Sequence, residues 1–230
     1  MKLRVKKTWA DFRHHLQYSA LIYPLIIALS IALVNLIYTQ TAYRPPQEKR
    51  IDIYIQSSSA SQEFVNEFIT PIWESAVPDM ELVNVVLLMS PGGENDYYAN
   101  MQLMTYIAAG EGDIYMLSSS DFKRFASQGA FVDLGDAIEQ GLIDVNGLEI
   151  NSAKVVEVDI DADGNMVALG DAKQFGIPAA GLYKFATDLS IDNRDMVLAV
   201  AVNSNNEEPT IRFLNALVQA TRAEVPDFFK

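Results

Sequence analysis

The stretch IDIYIQSSSASQEFVNEFITPIWESAVPDMELVNVVLLM (Ile51–Met89) decides the fold. Its first six residues, Ile51–Gln56, alternate apolar and polar positions, the period of a strand. Ser57–Ser61 is small and polar. Within it Ser59-Ala60-Ser61-Gln62 fits a capping box, in which serine and glutamine side chains satisfy the unpaired donors of a first helical turn. Phe64, Val65, Phe68, Ile69, Ile72, Trp73 and Ala76 then recur at spacings of one, three and four, one continuous apolar helical stripe. Pro71 is expected to bend or divide that helix, and Pro78-Asp79 to end it. Leu82–Met89 reads as a second strand. It is nearly all apolar, as expected where helices cover both faces of a sheet.

Outward from this unit, toward the C-terminus, the alternation continues. Ser90–Asn95 is a loop, and a helix from about Asp96 to Ala109 is expected to turn Tyr97, Met101, Met104 and Ala108 inward, with Gly110 at its C-terminal cap. Asp113–Leu117 is a third strand. Ser118–Asp121 opens a third helix, with Phe122, Phe125 and Ala126 inward and Gly129 as its stop, and a shorter helical stretch follows around 134–140. Three successive βα units predict a mainly parallel sheet with right-handed crossovers, covered on both faces, which is a three-layer α/β lobe. Strand order is not readable from periodicity. After Gly141, residues 154–160 and 166–170 read as a β-hairpin closed by an Asp-Gly turn. Gln174–Leu182 reads as a strand punctuated by Pro178, and Met196–Val202 as a buried strand. Ser204–Thr210 opens a last helix with Ile211, Phe213, Leu214, Leu217 and Val218 apolar.

The N-terminal region has another character. No residue from Leu16 to Tyr43 is charged, and the run Ser19–Tyr38 is 20 residues long. At about 1.5 Å per residue it covers the roughly 30 Å hydrocarbon core of a bilayer. Tyr18, Tyr23, Tyr38 and Tyr43 stand near its two ends, where amphipathic rings favour the interface, and a single proline, Pro24, is tolerated there. Lys2, Arg4, Lys6, Lys7 and Arg13 precede it against Asp11, so the N-terminus is expected on the cytoplasmic side. A cleaved signal peptide would have an apolar core of about 7–15 residues followed by a small-x-small site. The core here is longer and Thr39–Tyr43 matches such a site poorly. The expected organisation is therefore a cytoplasmic basic tail (1–15), a transmembrane helix (16–40), a linker stiffened by Pro45-Pro46 (41–50) and an extracytoplasmic domain (51–230). That makes a single-pass cell-membrane protein held in the bilayer through residues 19–38.

Composition removes several function classes. Residues 44–230 carry 29 acidic and 12 basic side chains, a net charge of −17. Such a surface repels phosphate backbones, so no nucleic-acid partner is expected. The chain has no cysteine, and its two histidines, His14 and His15, precede the apolar run. Beyond the anchor there is no imidazole base, thiol nucleophile or histidine-ligated metal. A carboxylate pair suited to glycoside hydrolysis is not singled out by any spacing. The expectation is a non-enzyme without a cofactor.

In order, the strand–helix–strand–helix succession, GEGDIYML (Gly110–Leu117), SSSDFKRFASQGAFVDL (Ser118–Leu134), the hairpin and QFGIPAAGL (Gln174–Leu182) resemble extracellular solute-binding proteins of ABC importers. The likest group is the type-II, sugar-binding-like class of periplasmic-binding-protein folds. The resemblance spans most of residues 50–220. It implies capture of a small polar solute and a link to an ABC transporter. Family members close two lobes on the ligand, and a second lobe needs a domain's worth of chain, around 100 residues. From Leu182 to Val202 there are only 21 residues. The second lobe is thus expected to be deleted or reduced to a loop, leaving a bound ligand half in water.

In parallel α/β sheets ligands sit at the C-terminal strand ends, where loops and helix N-termini converge. That selects Ser57, Ser58 and Ser59 after the first strand, Gly92, Gly93 and Glu94 after the second, and Ser118, Ser119, Ser120 and Asp121 after the third. Helix capping and turn geometry account for the same residues equally well. Asp159, Asp161 and Asp163 with Gly164 begin like a calcium loop, but its twelfth position, where a carboxylate ligand belongs, is Gly170. An exposed hairpin tip is the expectation there. Two functions follow: binding or sensing a small polar solute, or, as the alternative, an interaction or accessory domain of a membrane complex or the remnant of a solute-binding protein. A polar concavity at the strand ends favours the first, and an exposed apolar patch the second.

Overall fold

The computed structural model describes Trp9 and residues 22–41, 43, 45–89, 96–161 and 164–222, except the side chains of 40 and 96. The chain divides into two units, residues 1–44 and 45–230.

In the first unit, helix α1 spans Ile22–Thr41, 20 residues without a charge. It is long and apolar enough to cross a membrane. Its described side chains are exposed on every face, whereas a helix of a globular domain buries one apolar stripe. Thr41 Oγ1 donates back to Ile37 O at 2.7 Å, which pairs a hydroxyl inside the helix.

The second unit is built on a five-stranded mixed sheet of order β2-β1-β3-β9-β8, with β1 at Arg50–Ser57, β2 at Leu82–Met89, β3 at Ile114–Ser118, β8 at Ile177–Pro178 and β9 at Met196–Val200. Strand β1 pairs in parallel with β2 (Arg50 with Leu82 through Ser57 with Met89) and with β3 (Ile53 with Ile114). Strand β9 is antiparallel to both β3 and β8. The parallel expectation therefore holds for the β2-β1-β3 half and not for the pairings of β9. Ser119 N donates to Asp195 O at 2.8 Å, so the chain enters β9 beside the C-terminal end of β3 and runs back along it.

Helices cover both faces. On one, α2 (Gln62–Ala76) and α7 (Glu207–Thr221) pack against each other and over Ile51, Ile53, Ile55, Val83, Val85, Ile114, Met116, Leu198 and Val200. On the other, Leu103 of α3 (Asp96–Ala108) and Phe122 and Phe125 of α4 (Ser119–Ala126) join Tyr54, Leu88, Tyr115, Leu117, Phe131 and Phe175. Each fully buried side chain of this size stabilises the fold by roughly 1.5–3 kcal/mol relative to exposure. Short helices α5 (Gly135–Glu139) and α6 (Lys184–Thr187) complete the lobe.

Several local expectations are corrected. Helix α2 runs unbroken through Pro71. No capping box forms: Ser61 is the N-cap without a side-chain bond, Gln62 Nε2 instead donates to Val85 O at 2.7 Å, and Ser57 Oγ accepts from the amide of Ala60 at 3.1 Å. Helix α3 is rotated relative to its predicted face. Ala99 and Leu103 are buried, with Tyr106 and Ile107 packed beside them, while Tyr97, Met101 and Met104 point outward. The segment 174–182 is not one strand: β7 (Lys173–Gln174) pairs with β4 (Lys154–Val155), only β8 joins the main sheet, and Ala179–Gly181 is a 3-10 turn. The hairpin is β5 (Val158–Ile160) against β6 (Met166–Ala168). Four residues separate β6 from β7 but two separate β4 from β5, a bulge that shifts the ladder.

The short connection between β8 and β9 is a packed segment. Leu182, Phe185, Leu189 and Ile191 are buried, and buried Asn193 Nδ2 donates to Ala179 O and Leu182 O at 2.6 and 3.0 Å.

Candidate functional site

The order β2-β1-β3 sends successive crossovers to opposite sides of β1, so the chain ends leaving β1 and β3 diverge and open a crevice at their carboxyl ends. A cleft of about 500 Å³ lies there. One wall is Gln56, Ser57 and Ser58 at the end of β1 with Ser118 at the end of β3. The other is Asp192, Arg194, Asp195 and Met196, from the segment that leads into β9.

The first wall is organised by Gln56, whose side chain is buried. Its Oε1 accepts from Ser118 N at 2.7 Å and its Nε2 donates to Asp121 Oδ2 at 2.9 Å, which ties β1 to the start of α4. Ser118 is the N-cap: its Oγ accepts from Asp121 N at 3.2 Å and also lies 3.0 Å from Asp121 Oδ2 and from Ser120 Oγ. Asp121 in turn holds Arg124 at 2.9 Å. Ser58 is exposed at the mouth, and Ser59 Oγ reaches across to Ser190 O at 2.9 Å. Ser190 has a φ of 56°, the left-handed region that a non-glycine residue enters at a cost and that recurs at ligand-binding sites.

The second wall is charged. Arg194 Nη2 meets Asp192 Oδ2 at 2.6 Å, both exposed to solvent. The hydrogen bonds from Arg194 hold the Asp192 carboxyl down at about 2, so the pair stays ionised at any physiological pH. Hydroxyls, an amide and an ion pair thus face one another across a solvent-open gap. That set suits recognition of a polar molecule through hydrogen bonds. It contains no activated nucleophile or base.

The selected residues fall into three groups. Ser57, Ser58 and Ser118 line the cleft; Ser59, Ser119, Ser120 and Asp121 lie next to it in the chain without lining it. Gly92, Gly93 and Glu94 lie outside the described residues. Of the calcium-like run, Asp163 also lies outside them, Asp159 is on β5, and Asp161 Oδ1 accepts from Asn165 N at 2.8 Å across the hairpin turn. Among the described residues no group of three His, Asp or Glu side chains is placed to hold a metal. Gln56 and the whole second wall were missed from sequence. Gln56 carried a signal, a polar residue closing an otherwise apolar strand end. The second wall carried none.

At the opposite end of the sheet lies a closed polar cluster. Asp113 is buried; its Oδ2 accepts from Asp52 N at 2.8 Å and its Oδ1 from Ser204 Oγ at 2.6 Å. Asp52 accepts from Asn84 Nδ2 at 2.9 Å and pairs with Arg50 at 2.7 Å. Asn206 Nδ2 donates to Gln47 O and Arg50 O at 2.6 and 2.7 Å. Burial raises the Asp113 carboxyl above its usual range, although the bonds from Ser204 and Asp52 oppose the shift. Tyr54 and Tyr115 are also raised, chiefly by burial.

No protein-family model and no curated protein matches the chain. The solved structures similar to it are solute-binding proteins. An ABC substrate-binding protein from Listeria monocytogenes in complex with cycloalternan is 26% identical, with 55% of this chain aligned to 28% of that one at a TM-score of 0.37. A family 1 extracellular solute-binding protein from Alicyclobacillus acidocaldarius is 18% identical over 59% of this chain and 29% of that one, at 0.38. AttC of Agrobacterium tumefaciens, in an open unliganded conformation, is 12% identical over 76% and 81%, at 0.39. The chain spans less than a third of the length of the first two. The topology described above, rather than these partial superpositions, defines the fold.

Proposed function

We propose that this chain is a membrane-anchored, extracytoplasmic solute-binding-like domain that binds a small polar solute in the cleft between the ends of β1 and β3 and the Asp192–Met196 segment. The observation that carries this reading is the cleft itself: about 500 Å³ at the switch point of the sheet, with polar groups on both walls. Ser58 and Ser118 would contact the solute directly, with buried Ser57 bracing the turn behind them. Gln56 would hold the first wall in register, and Arg194 and Asp192 would close the second. The cleft is open to solvent, so binding is weak and fast, as suits sensing or presenting a solute to an ABC-type transporter in the same membrane rather than sequestering it. No cofactor enters this reading.

The anchor is α1, whose uncharged length matches a hydrocarbon core and which follows a basic tail. Protease added to intact cells should remove the C-terminal domain. A domain that survives, or that is recovered entirely free in the medium, contradicts the topology.

Isothermal titration of the full chain in detergent against oligosaccharides, amino acids and short peptides tests the binding. One class should bind, and Ser58→Trp, which fills the mouth of the cleft, should abolish the heat signal without changing the melting midpoint. Silence across the panel, or unchanged binding by Ser58→Trp, removes the proposal.

A further inference from the structure

Helix α3 is apolar on two sides. Its inner side, Ala99 and Leu103 with Tyr106 and Ile107, packs on the sheet. Its outer side carries Tyr97, Tyr98, Met101 and Met104, which are 64%, 78%, 50% and 52% exposed. Gln102 and Thr105 are the exposed polar residues beside these four, whereas a surface helix of a globular domain usually turns its outer side to water with charged and polar residues throughout. Scattered exposed apolar residues are ordinary, but here four fall within eight consecutive positions, and Tyr97 and Tyr98 already pack edge-to-face at 5.8 Å.

The charge pattern identifies the cover. Between Leu82 and Gly110 only Glu94 and Asp96 are charged, and Arg124 of α4 reaches Asn100 of α3 at 3.2 Å, so this part of the surface lacks the acidic excess of residues 44–230, whose net charge is −17. A basic partner would be drawn to the acidic surfaces, not to this neutral face. For two copies of the same acidic chain, a neutral face is where approach meets the least repulsion. The area is also suitable. The four side chains offer on the order of 500 Å², so two copies would bury about 1,000 Å², the lower bound for a specific interface.

We infer that the outer face of α3 is a self-association surface, on which a second copy of this chain seats its own α3 about a twofold axis. Such a contact is isologous, with Met101 near the axis and each tyrosine pair packing against the partner's methionines. The small area makes the dimer weak in solution, and confinement of two anchored chains to one membrane would raise their effective concentration. The dimer does not depend on solute binding in the cleft.

The absence of cysteine from the chain makes the test direct. Met101→Cys in the full-length chain, treated in detergent micelles with a short bis-maleimide, should give a covalent dimer. Phe64→Cys, equally exposed but on α2, should not. In sedimentation, Met101→Asp should weaken dimerisation at least tenfold while leaving the melting midpoint of the monomer unchanged. A monomer at all concentrations overturns the inference, as does cross-linking from Phe64→Cys as efficient as from Met101→Cys, or a dimer that Met101→Asp leaves intact.

Discussion

The two ends of the sheet handle polar groups in opposite ways. At the N-terminal ends of β1 and β3, Asp113 is buried beside Asp52 and Ser204, with both carboxylate oxygens accepting hydrogen bonds. At the C-terminal ends, Ser57, Ser58 and Ser118 border an open cleft, and the charged groups facing them are in solvent. Buried polar groups must find partners inside the fold, and changing them is costly. Polar groups at an open cleft keep water as a partner and remain free to exchange it for a solute. The closed end therefore holds the lobe together, and the open end is where function can be placed without loss of stability.

Substitutions should separate the two ends by size of effect. Asp113→Leu strands the Asp52 amide and the Ser204 hydroxyl in the interior and should cost about 2–5 kcal/mol in denaturant unfolding, with solute affinity unchanged in whatever fraction remains folded. A cost near zero would mean that these two hydrogen bonds contribute nothing to stability. Ser118→Ala removes the N-cap of α4 and should cost about 1 kcal/mol. Because Ser118 also lines the cleft, it is the one position of the three where stability and binding should fall together. Arg194→Ala should change stability by less than about 0.5 kcal/mol, because its ion pair is solvent-screened, and should weaken solute binding.

A pH series sharpens the same contrast. The folded-state pKa of Asp113 is raised, so its neutral form is favoured by folding. The stability this provides is full below the usual carboxylate range and is lost as pH rises through the raised value. The melting midpoint should fall across that window in the parent chain, and Asp113→Asn should flatten the fall. The Asp192 carboxyl is lowered, so the cleft rim keeps its ionisation from mildly acidic pH upward and solute affinity should be flat there.

Much of the apolar core and the serines of the first wall were legible in the sequence, because local period and strand ends mark them, whereas the polar cluster around Asp113 and the role of Gln56 were not. Ile51, Ile53 and Ile55 alternate with polar positions, and Phe122, Phe125 and Ala126 stand against the charged Asp121, Lys123 and Arg124, so only one face of α4 can be the inner one. Helix α3 offers no such contrast. With apolar residues on two stripes, the choice between Tyr97–Met101–Met104 and Ala99–Leu103–Tyr106 is made by tertiary packing on β2, and the reading from period alone selects the outer one. The second wall was illegible for another reason. Asp192, Arg194 and Asp195 lie more than 130 residues from Gln56, and they reach the cleft only because β9 enters the sheet antiparallel to β3, beside its carboxyl end. Strand order and direction are long-range choices with no local mark in the chain.

The most direct test of the binding cleft is hydrogen exchange on the full chain in detergent, with and without a saturating amount of the tightest-binding member of the titration panel. Amide exchange should slow in Ser57–Ala60 and in Asp192–Met196 together, with α3 and the β5–β6 hairpin unchanged. Protection confined to α3 or to the hairpin, with both cleft walls exchanging as before, would contradict binding in the cleft.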